Sequence, residues 1–262
     1  MKSRNVLITG ASGGIGYELA RIFATRGYNL IIVARSADKL HALASELLHT
    51  GADVKVITTD LSLPNAAQTL HNQLKQQGLH VDILINNAGF GLYGDFSETP
   101  WERELQMLNL NIVALTELTK LYVNDMKKQQ FGKILNVASV AAFMPGPYMA
   151  VYFASKAYVL SFSEALAAEL KGTGVTVTAL CPGPTRTGFE TTANASDSGL
   201  FEKMPQASAL EVAEYAYKSL MKGKQVAVYG ILNKLNVLMV RLLPKKLFLL
   251  SIIWLMKPKK KD

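Results

Sequence analysis

The stretch Asn5-Val-Leu-Ile-Thr-Gly-Ala-Ser-Gly-Gly-Ile-Gly16 decides the architecture. Asn5 to Thr9 reads as a buried strand, and the glycines at 10, 13, 14 and 16 follow at once. From Tyr17 to Arg26, Leu19, Ala20, Ile22 and Phe23 recur at helical spacing. A strand, a glycine turn and a helix start are the parts of a phosphate cradle. Backbone N–H groups at a helix N-terminus point at an anion, and the helix dipole favours negative charge there. The spacing Gly10, Gly14, Gly16 is not the general G-x-G-x-x-G, and no Gly-Lys-Ser/Thr follows to make a P-loop. A glycine-rich turn without a ligand is the plain alternative. The position directly after the first strand argues against it.

Outward from this stretch, strand-like runs recur at 5–9, 29–34, 53–58, 81–86, 132–137, 174–181 and 225–229. Helical patterns separate them, long ones at 100–128 and 150–172. This alternation predicts a parallel sheet of about seven strands with helices on both faces, an α/β doubly wound fold. Ligands in such sheets bind outside the carboxyl ends of the strands. Gly10, Asp60, Asn86, Ser139 and Pro182 all fall at or just after predicted strand ends. The 262 residues are 49% apolar, ample for a core, and no linker, repeat or low-complexity block divides them. Residues 1–230 form the expected domain, with 231–262 as a C-terminal extension.

A second pattern lies at Tyr152-Phe-Ala-Ser-Lys156, with Ser139 thirteen residues before the tyrosine. Residues four apart share a helix face, so an ammonium would stand beside the phenol. A phenol titrates near ~10, and a nearby positive charge lowers that value toward neutrality. Tyr152 could then give or take a proton at a carbonyl or alcohol oxygen. Alone, a tyrosine and a lysine at this spacing are commonplace on surface helices. Their weight comes from their company.

Together these segments resemble the short-chain dehydrogenase/reductase family in its short single-domain form, from about Asn5 to Thr187, with the motifs in order. The resemblance implies a Rossmann-like sheet and hydride transfer between a nicotinamide cofactor and a carbonyl/alcohol pair. Thr9-Gly-x-x-x-Gly-x-Gly16 looks like the family's cofactor turn, which implies cofactor contacts at Gly10, Ser12, Gly14, Ile15 and Gly16. Asp60-Leu61 looks like its adenine-contacting pair, and Asn86-Asn87-Ala88-Gly89 like its sheet-stabilising turn, with Asn87, Ala88 and Gly89 against the cofactor. Asn111, preferred over Asn109 because Ile-Val-Ala-Leu-Thr follows it, sits where the family has a catalytic helix asparagine. Ser139, Tyr152 and Lys156 complete the implied tetrad. Pro182-Gly183-Pro184-Thr185-Arg186-Thr187 looks like the segment beside the nicotinamide, placing Pro182, Gly183, Thr185 and Thr187 near it. In the implied mechanism Tyr152 protonates the developing alkoxide and Ser139 donates to the same oxygen. Lys156 lowers the tyrosine pKa and holds ribose hydroxyls, and Asn111 helps hold a relay water.

The second predicted strand ends in Arg35-Ser36, where a carboxylate would mark NAD. Arginine offers a planar fork to phosphate, so the reading is NADP(H). Phe143, Met144, Pro145, Pro147, Tyr148 and Met149, with Phe90, Leu92 and Tyr93, would line a pocket for a lipophilic ketone, aldehyde or 3-oxoacyl chain. Residues 187–205, rich in Thr, Ser, Asn and Gly, read as a mobile lid. Two rivals stand: a non-catalytic NADP-binding regulator, and a sugar-nucleotide epimerase of the longer branch. The intact tetrad weighs against the first and the short C-terminus against the second.

The net charge of +8 is uneven. Residues 1–224 hold 20 Lys/Arg and 19 Asp/Glu, whereas 225–262 hold 8 and one. No nucleic-acid partner is expected, since no basic stripe or binding motif accompanies the charge elsewhere. The lone Cys181, at a strand end, reads as packed, and with no intrachain disulfide the expected compartment is reducing, the cytoplasm. His41, His49, His71 and His80 make no metal spacing and read as surface residues, so no metal is expected. The fold starts by Asn5, which argues against a signal peptide. In the extension the longest uncharged run, Leu247 to Met256, has ten residues, where spanning a bilayer needs about 20. The expectation is two short helices joined at Pro244. They would pack in a homodimer or homotetramer interface or over the pocket, or else touch an anionic membrane's inner face peripherally. Packing is preferred, because an uncharged, almost wholly apolar run of ten residues with a tryptophan is costly to leave in water.

Overall fold

A computed structural model describes residues 4–195, 204–242 and, beyond these, 249, 252, 253, 256 and 257. Strands β1 (Asn5–Thr9), β2 (Asn29–Ala34), β3 (Val54–Thr58), β4 (Ile83–Asn86), β5 (Gly132–Val137) and β6 (Val175–Cys181) alternate with helices. These are α1 (Gly14–Thr25), α2 (Ala37–Leu47), α3 (Ala66–Gln76), α4 (Trp101–Leu108), α5 (Leu115–Gln129) and α6 (Ala150–Glu169). After β6 come β7 (Thr185–Arg186), the short helix α7 (Phe189–Thr192), β8 (Ala207–Ser208), α8 (Ala209–Met221), β9 (Val226–Val228) and α9 (Ile231–Leu242). The main sheet is parallel and seven-stranded, in the order β3-β2-β1-β4-β5-β6-β9.

β1 lies inside the sheet, with Leu7 opposite Ile31 of β2 and Leu84 of β4. Its Val6, Leu7 and Ile8 are fully buried, which is why the strand is an unbroken apolar run. Strand residues alternate faces. Val6 and Ile8 pack with Leu19 and Phe23 of α1, Leu40 of α2, and Val212 and Leu220 of α8. Leu7 faces the other way, toward Leu70 of α3 and Leu118 and Met126 of α5. The chain leaves β1 toward β2 and β3, then returns to β4 on the opposite side. The strand order therefore reverses between β1 and β4, and a crevice opens at their carboxyl ends.

Side chains lock that crevice's edges together. Thr9 Oγ1 donates to the Ile85 carbonyl (3.3 Å) and accepts from the N–H groups of Asn87 and Ala88 (3.0 Å each). The Asn87 amide donates back to the carbonyls of Thr9 (2.9 Å) and Gly10 (3.1 Å). Next to it, buried Asn86 donates to Thr119 and Asn136, and Asn136 donates to Ser163. This polar chain ties β4 and β5 to α5 and α6.

Four sequence expectations change in detail. The pattern at 100–128 is interrupted, since Asn109–Ala114 form a π-helical segment between α4 and α5. A π turn inserts one residue and shifts the phase of the apolar pattern locally, which a helical pattern read over the whole run averages out. The strand runs 81–86 and 225–229 shorten to Ile83–Asn86 and Val226–Val228. The segment at 187–205 is bracketed by the pairing of β7 with β8 and begins with α7; 196–203 lie outside the described residues. His71 is buried rather than on the surface, with Nε2 2.8 Å from Asp125 Oδ2. Pro244, the expected joint of the extension, lies outside the described residues. No helix among the described residues is long and apolar enough to cross a membrane.

Thr9→Val keeps the shape of the side chain and removes its hydroxyl. The Asn87 N–H keeps the Ile85 carbonyl as a partner at 3.1 Å, whereas the half-buried Ala88 N–H loses its acceptor, which costs about 1–3 kcal/mol. Chemical denaturation should show a loss on that scale for Thr9→Val, and near wild-type stability for Thr9→Ser.

Candidate active site

A cleft of about 760 Å³ runs along the carboxyl ends of the strands. At one end is the glycine turn. Gly10 has φ +67°, and a Cβ there would stand 2.8 Å from the Asn87 amide and 2.9 Å from Ala88 Cα. Gly14 has φ +56°, and its Cβ would meet Thr187 at 2.8 Å. Only glycine fits either position. Gly13 caps α1 with no side-chain hydrogen bond, and the first turn carries no carboxylate. The leading N–H groups of α1 are thus left for an anion, beside Ser12 and Ile15 in the cleft wall. This is the chemistry of a dinucleotide pyrophosphate site, and the residues present fit the group.

The wall continues to Arg35 and Ser36 at the end of β2, Lys39 in the first turn of α2, and Asp60 and Leu61 after β3. Arg35 is 58% exposed, with Nη1 3.8 Å from Asp60 Oδ2. Burial pushes the Asp60 carboxyl up. Two hydrogen bonds from Ser62 and the charges of Arg35 and Arg103 outweigh it and hold the group below the usual carboxylate range. Arg35 and Lys39 at this rim are two cations with no carboxylate on the β2 end itself.

At the other end stand Ser139, Tyr152 and Lys156. Ser139 follows β5 and caps the 3₁₀ turn Val140–Phe143; its Oγ accepts from Ala141 N (3.1 Å) and lies 3.4 Å from the Pro182 carbonyl. Tyr152 and Lys156 lie in the first two turns of α6, one helical turn apart. Lys156 Nζ donates to the Val137 carbonyl at 2.8 Å and sits 5.8 Å from the centre of the Tyr152 ring. Burial drives the Tyr152 phenol up to about 12, against a hydrogen bond with Ser139 that pulls it down. Burial also draws the Lys156 ammonium down to about 8. The expected lowering of the tyrosine by the lysine is therefore reversed, because desolvation disfavours both charged forms and exceeds any attraction between them.

Most of the expected residues meet in this cleft. Asn87, Ala88 and Gly89 line its floor after β4, and Pro182, Gly183, Thr185 and Thr187 line it after β6. Two do not reach the wall. Gly16 is packed beneath the turn, where a Cβ would collide with the Asn87 amide and the Gly10 carbonyl, so glycine lets α1 approach the sheet here. Asn111, brought in by the π segment, is 1% exposed. Its amide donates to the Phe90 carbonyl (3.0 Å) and Ser155 Oγ (3.1 Å), and its oxygen accepts from Phe90 N (3.2 Å). It fastens the loop after β4 to α6 from behind the cleft.

The expected apolar lining is partly right. Met144, Met149 and Phe90 line the cleft, joined by Phe153 and by Phe189 from α7. Phe143 and Leu92 turn instead into apolar clusters, as their own burial there is more favourable. Tyr93 packs against Tyr148, and its hydroxyl donates to the Met256 carbonyl at 2.6 Å. Ile252 and Met256 are buried against Met149 and Phe153 and close the apolar end. Asn233 and Asn236 of α9 also line the cleft. Of the residues missed, Lys39 was discoverable as a cation four residues after Arg35. Asn233 and Asn236 of α9 carry no local signal, and for Ile252 and Met256 the apolar run of the extension offers packing over the pocket only as one option. Cys181 is buried, and burial pushes its thiol up to about 12, which fits a packed residue.

The profile of the short chain dehydrogenase family matches residues 4–198. A 7beta-hydroxysteroid dehydrogenase of Collinsella aerofaciens is 34% identical over 182 residues, 69% of this chain and 68% of that protein. A very-long-chain 3-oxoacyl-CoA reductase of Pyrenophora tritici-repentis is 38% identical over 178 residues, 65% of this chain but only 52% of the relative. Among solved structures, a short-chain dehydrogenase from Sphingobium yanoikuyae in complex with NADPH superposes with a TM-score of 0.82 at 30% identity, covering 99% of this chain and 98% of that one. The chain belongs to the short-chain dehydrogenase family. It is an oxidoreductase fold of the kind that binds a nicotinamide cofactor and acts on carbonyl or CH–OH groups.

The lysine's depressed pKa has a measurable sign. Between about 8 and the ordinary 10.5, the unfolded chain binds a proton that folded Lys156 has released. Stability attributable to Lys156 therefore rises with pH across that window and is level below it. The difference in unfolding free energy, wild type minus Lys156→Met, should grow from pH 8 to pH 10 in denaturant titrations. A constant difference would mean that the ammonium keeps its ordinary pKa.

Proposed function

We propose that this chain uses NADP(H) to reduce a lipophilic ketone, aldehyde or 3-oxoacyl compound. The carrying observation is the polarity of the cleft: cationic at the Arg35–Lys39 rim, apolar at the Phe153–Met256 end, with Ser139, Tyr152 and Lys156 between. The anion turn of α1 would hold the pyrophosphate, Arg35 and Lys39 the 2′-phosphate, Asp60 and Leu61 the adenine, and Lys156 the ribose hydroxyls. A bound nicotinamide supplies the hydride. Tyr152, kept neutral by burial, carries the proton that a reduced carbonyl oxygen requires. Ser139 offers that oxygen a second hydrogen bond as its charge develops. Lys156, with a pKa of about 8, can exchange a proton near neutrality and so recharge the phenol. In this reading Asn111 acts by holding Phe90 and Ser155, and thereby the start of α6, in place. Two relatives bear names with lipophilic substrates on the two sides of this reaction, a hydroxysteroid dehydrogenase on the alcohol side and a very-long-chain 3-oxoacyl-CoA reductase on the carbonyl side. The lone buried cysteine suits a reducing compartment, and we place the protein in the cytoplasm as a homo-oligomer.

Tyr152→Phe keeps the ring and removes the transferable proton. Turnover with NADPH and a bulky ketone should fall about 10²–10⁴-fold, the usual scale for a lost general acid, while NADPH binding by fluorescence titration persists. Near wild-type turnover at every pH would sink the mechanism. Arg35→Asp removes a charge-assisted bond and adds repulsion, so it should weaken NADPH far more than NADH. Lys39→Ala should shift the same ratio less. A wild-type preference for NADH, or an unchanged ratio in Arg35→Asp, refutes the cofactor assignment.

A further inference from the structure

Helix α9 has two unlike faces. Asn233 and Asn236 line the cleft, and Val237 is buried against the core, so this side is committed inward. The other side presents Ile231, Leu232, Leu235, Leu238, Met239 and Leu242, exposed by 76, 60, 52, 52, 44 and 70%. At 100° per residue these six fall within one arc about a third of the helix circumference wide. Six large apolar residues exposed on one short helix are a patch that needs an occupant.

The charge of Lys234 and of the sequence that follows α9 says which occupant. Exposed Lys234 borders the arc, and α9 carries no acidic residue. Beyond α9 the sequence adds Lys245, Lys246, Lys257, Lys259, Lys260 and Lys261 before its only acid, Asp262. A second copy of this chain meeting the same face would set like charges against one another, because a two-fold contact is self-complementary. Anionic lipid headgroups provide the opposite charge along with an apolar layer. A helix of 12 residues is far too short to span a bilayer but suits lying in its surface. We propose that α9 is a monotopic docking element that lays its exposed apolar face on an anionic membrane. Since the same helix walls the cleft, docking holds the cleft within about one helix diameter, roughly 10 Å, of the headgroups.

The test uses the full chain and vesicles of phosphatidylcholine with or without phosphatidylglycerol, separated by flotation. Wild type should float with the anionic vesicles and stay behind with the neutral ones. Its bound fraction should fall several-fold as salt rises from about 0.05 to about 0.5 M, where the Debye length shrinks below headgroup distances. Leu235→Glu/Leu238→Glu should abolish flotation while leaving NADPH binding, circular dichroism and turnover of a water-soluble ketone unchanged; Lys234→Glu should weaken flotation partially. Wild type remaining unbound overturns the proposal, as does equal binding to neutral vesicles. Undiminished flotation of the folded double variant would also overturn it, by moving the contact off α9. If the double variant instead lowers the sedimentation mass of a protein that binds no vesicles, the occupant is a second copy and the proposal fails. The wild-type composition and salt series decides even if that variant does not fold.

Discussion

Thr9 and Asn87 hold the ends of β1 and β4 against each other, and the rest of the site depends on that crosslink. Two parallel strands whose continuations run in opposite directions leave backbone groups unpaired at their carboxyl ends. One hydroxyl and one carboxamide satisfy those groups across the gap. With the gap fixed, Gly10 can pass close to Ala88, α1 can point its N–H groups into the crevice, and Ala88 and Gly89 can form the floor. The Asn86–Asn136–Ser163 chain carries the same constraint across to α6, where Tyr152 and Lys156 stand. The glycine turn and the Ser139–Tyr152–Lys156 end of the cleft are thus parts of one hydrogen-bonded frame.

The second theme is desolvation. Burial moves Tyr152 and Lys156 in opposite directions on the pH scale, toward two neutral groups. A neutral phenol beside a lysine that titrates near 8 suits a step in which the phenol gives up a proton and is refilled. The unfavourable solvation of Lys156 is eased by the Val137 carbonyl, its hydrogen-bond partner at 2.8 Å. Among the described residues the buried lysine is thus held by a backbone carbonyl and by no salt bridge.

α9 joins the site to the molecule's outer surface. Its asparagines face the cleft, its leucines face outward, and Asn233 contacts the Tyr229 carbonyl at its own N-terminal end. At the cleft's apolar end, Ile252 and Met256 complete the wall, with Met256 held by the hydroxyl of Tyr93. From sequence, packing in an oligomer interface or over the pocket and contact with an anionic membrane are alternatives for the C-terminal extension. In the folded chain different residues face in the two directions.

The sequence by itself determined the alternating elements, the seven parallel strands, the glycine turn and the grouping of Ser139, Tyr152 and Lys156. All of these rest on local signals. Apolar periods of 2 and 3.6 separate strands from helices, glycine marks positive φ, and a four-residue spacing puts two side chains on one helix face. Only the tertiary structure decided that Gly16 lies packed beneath the turn, that Asn111 lies buried behind the wall, and that Phe143 and Leu92 turn into apolar clusters. It alone brought Lys39, Asn233 and Met256 to the cleft and reversed the expected tyrosine shift. The physical reason is common to all of these. Burial and contact between residues distant in the chain set them, and a one-dimensional pattern contains neither the depth at which a group will lie nor what will stand across from it.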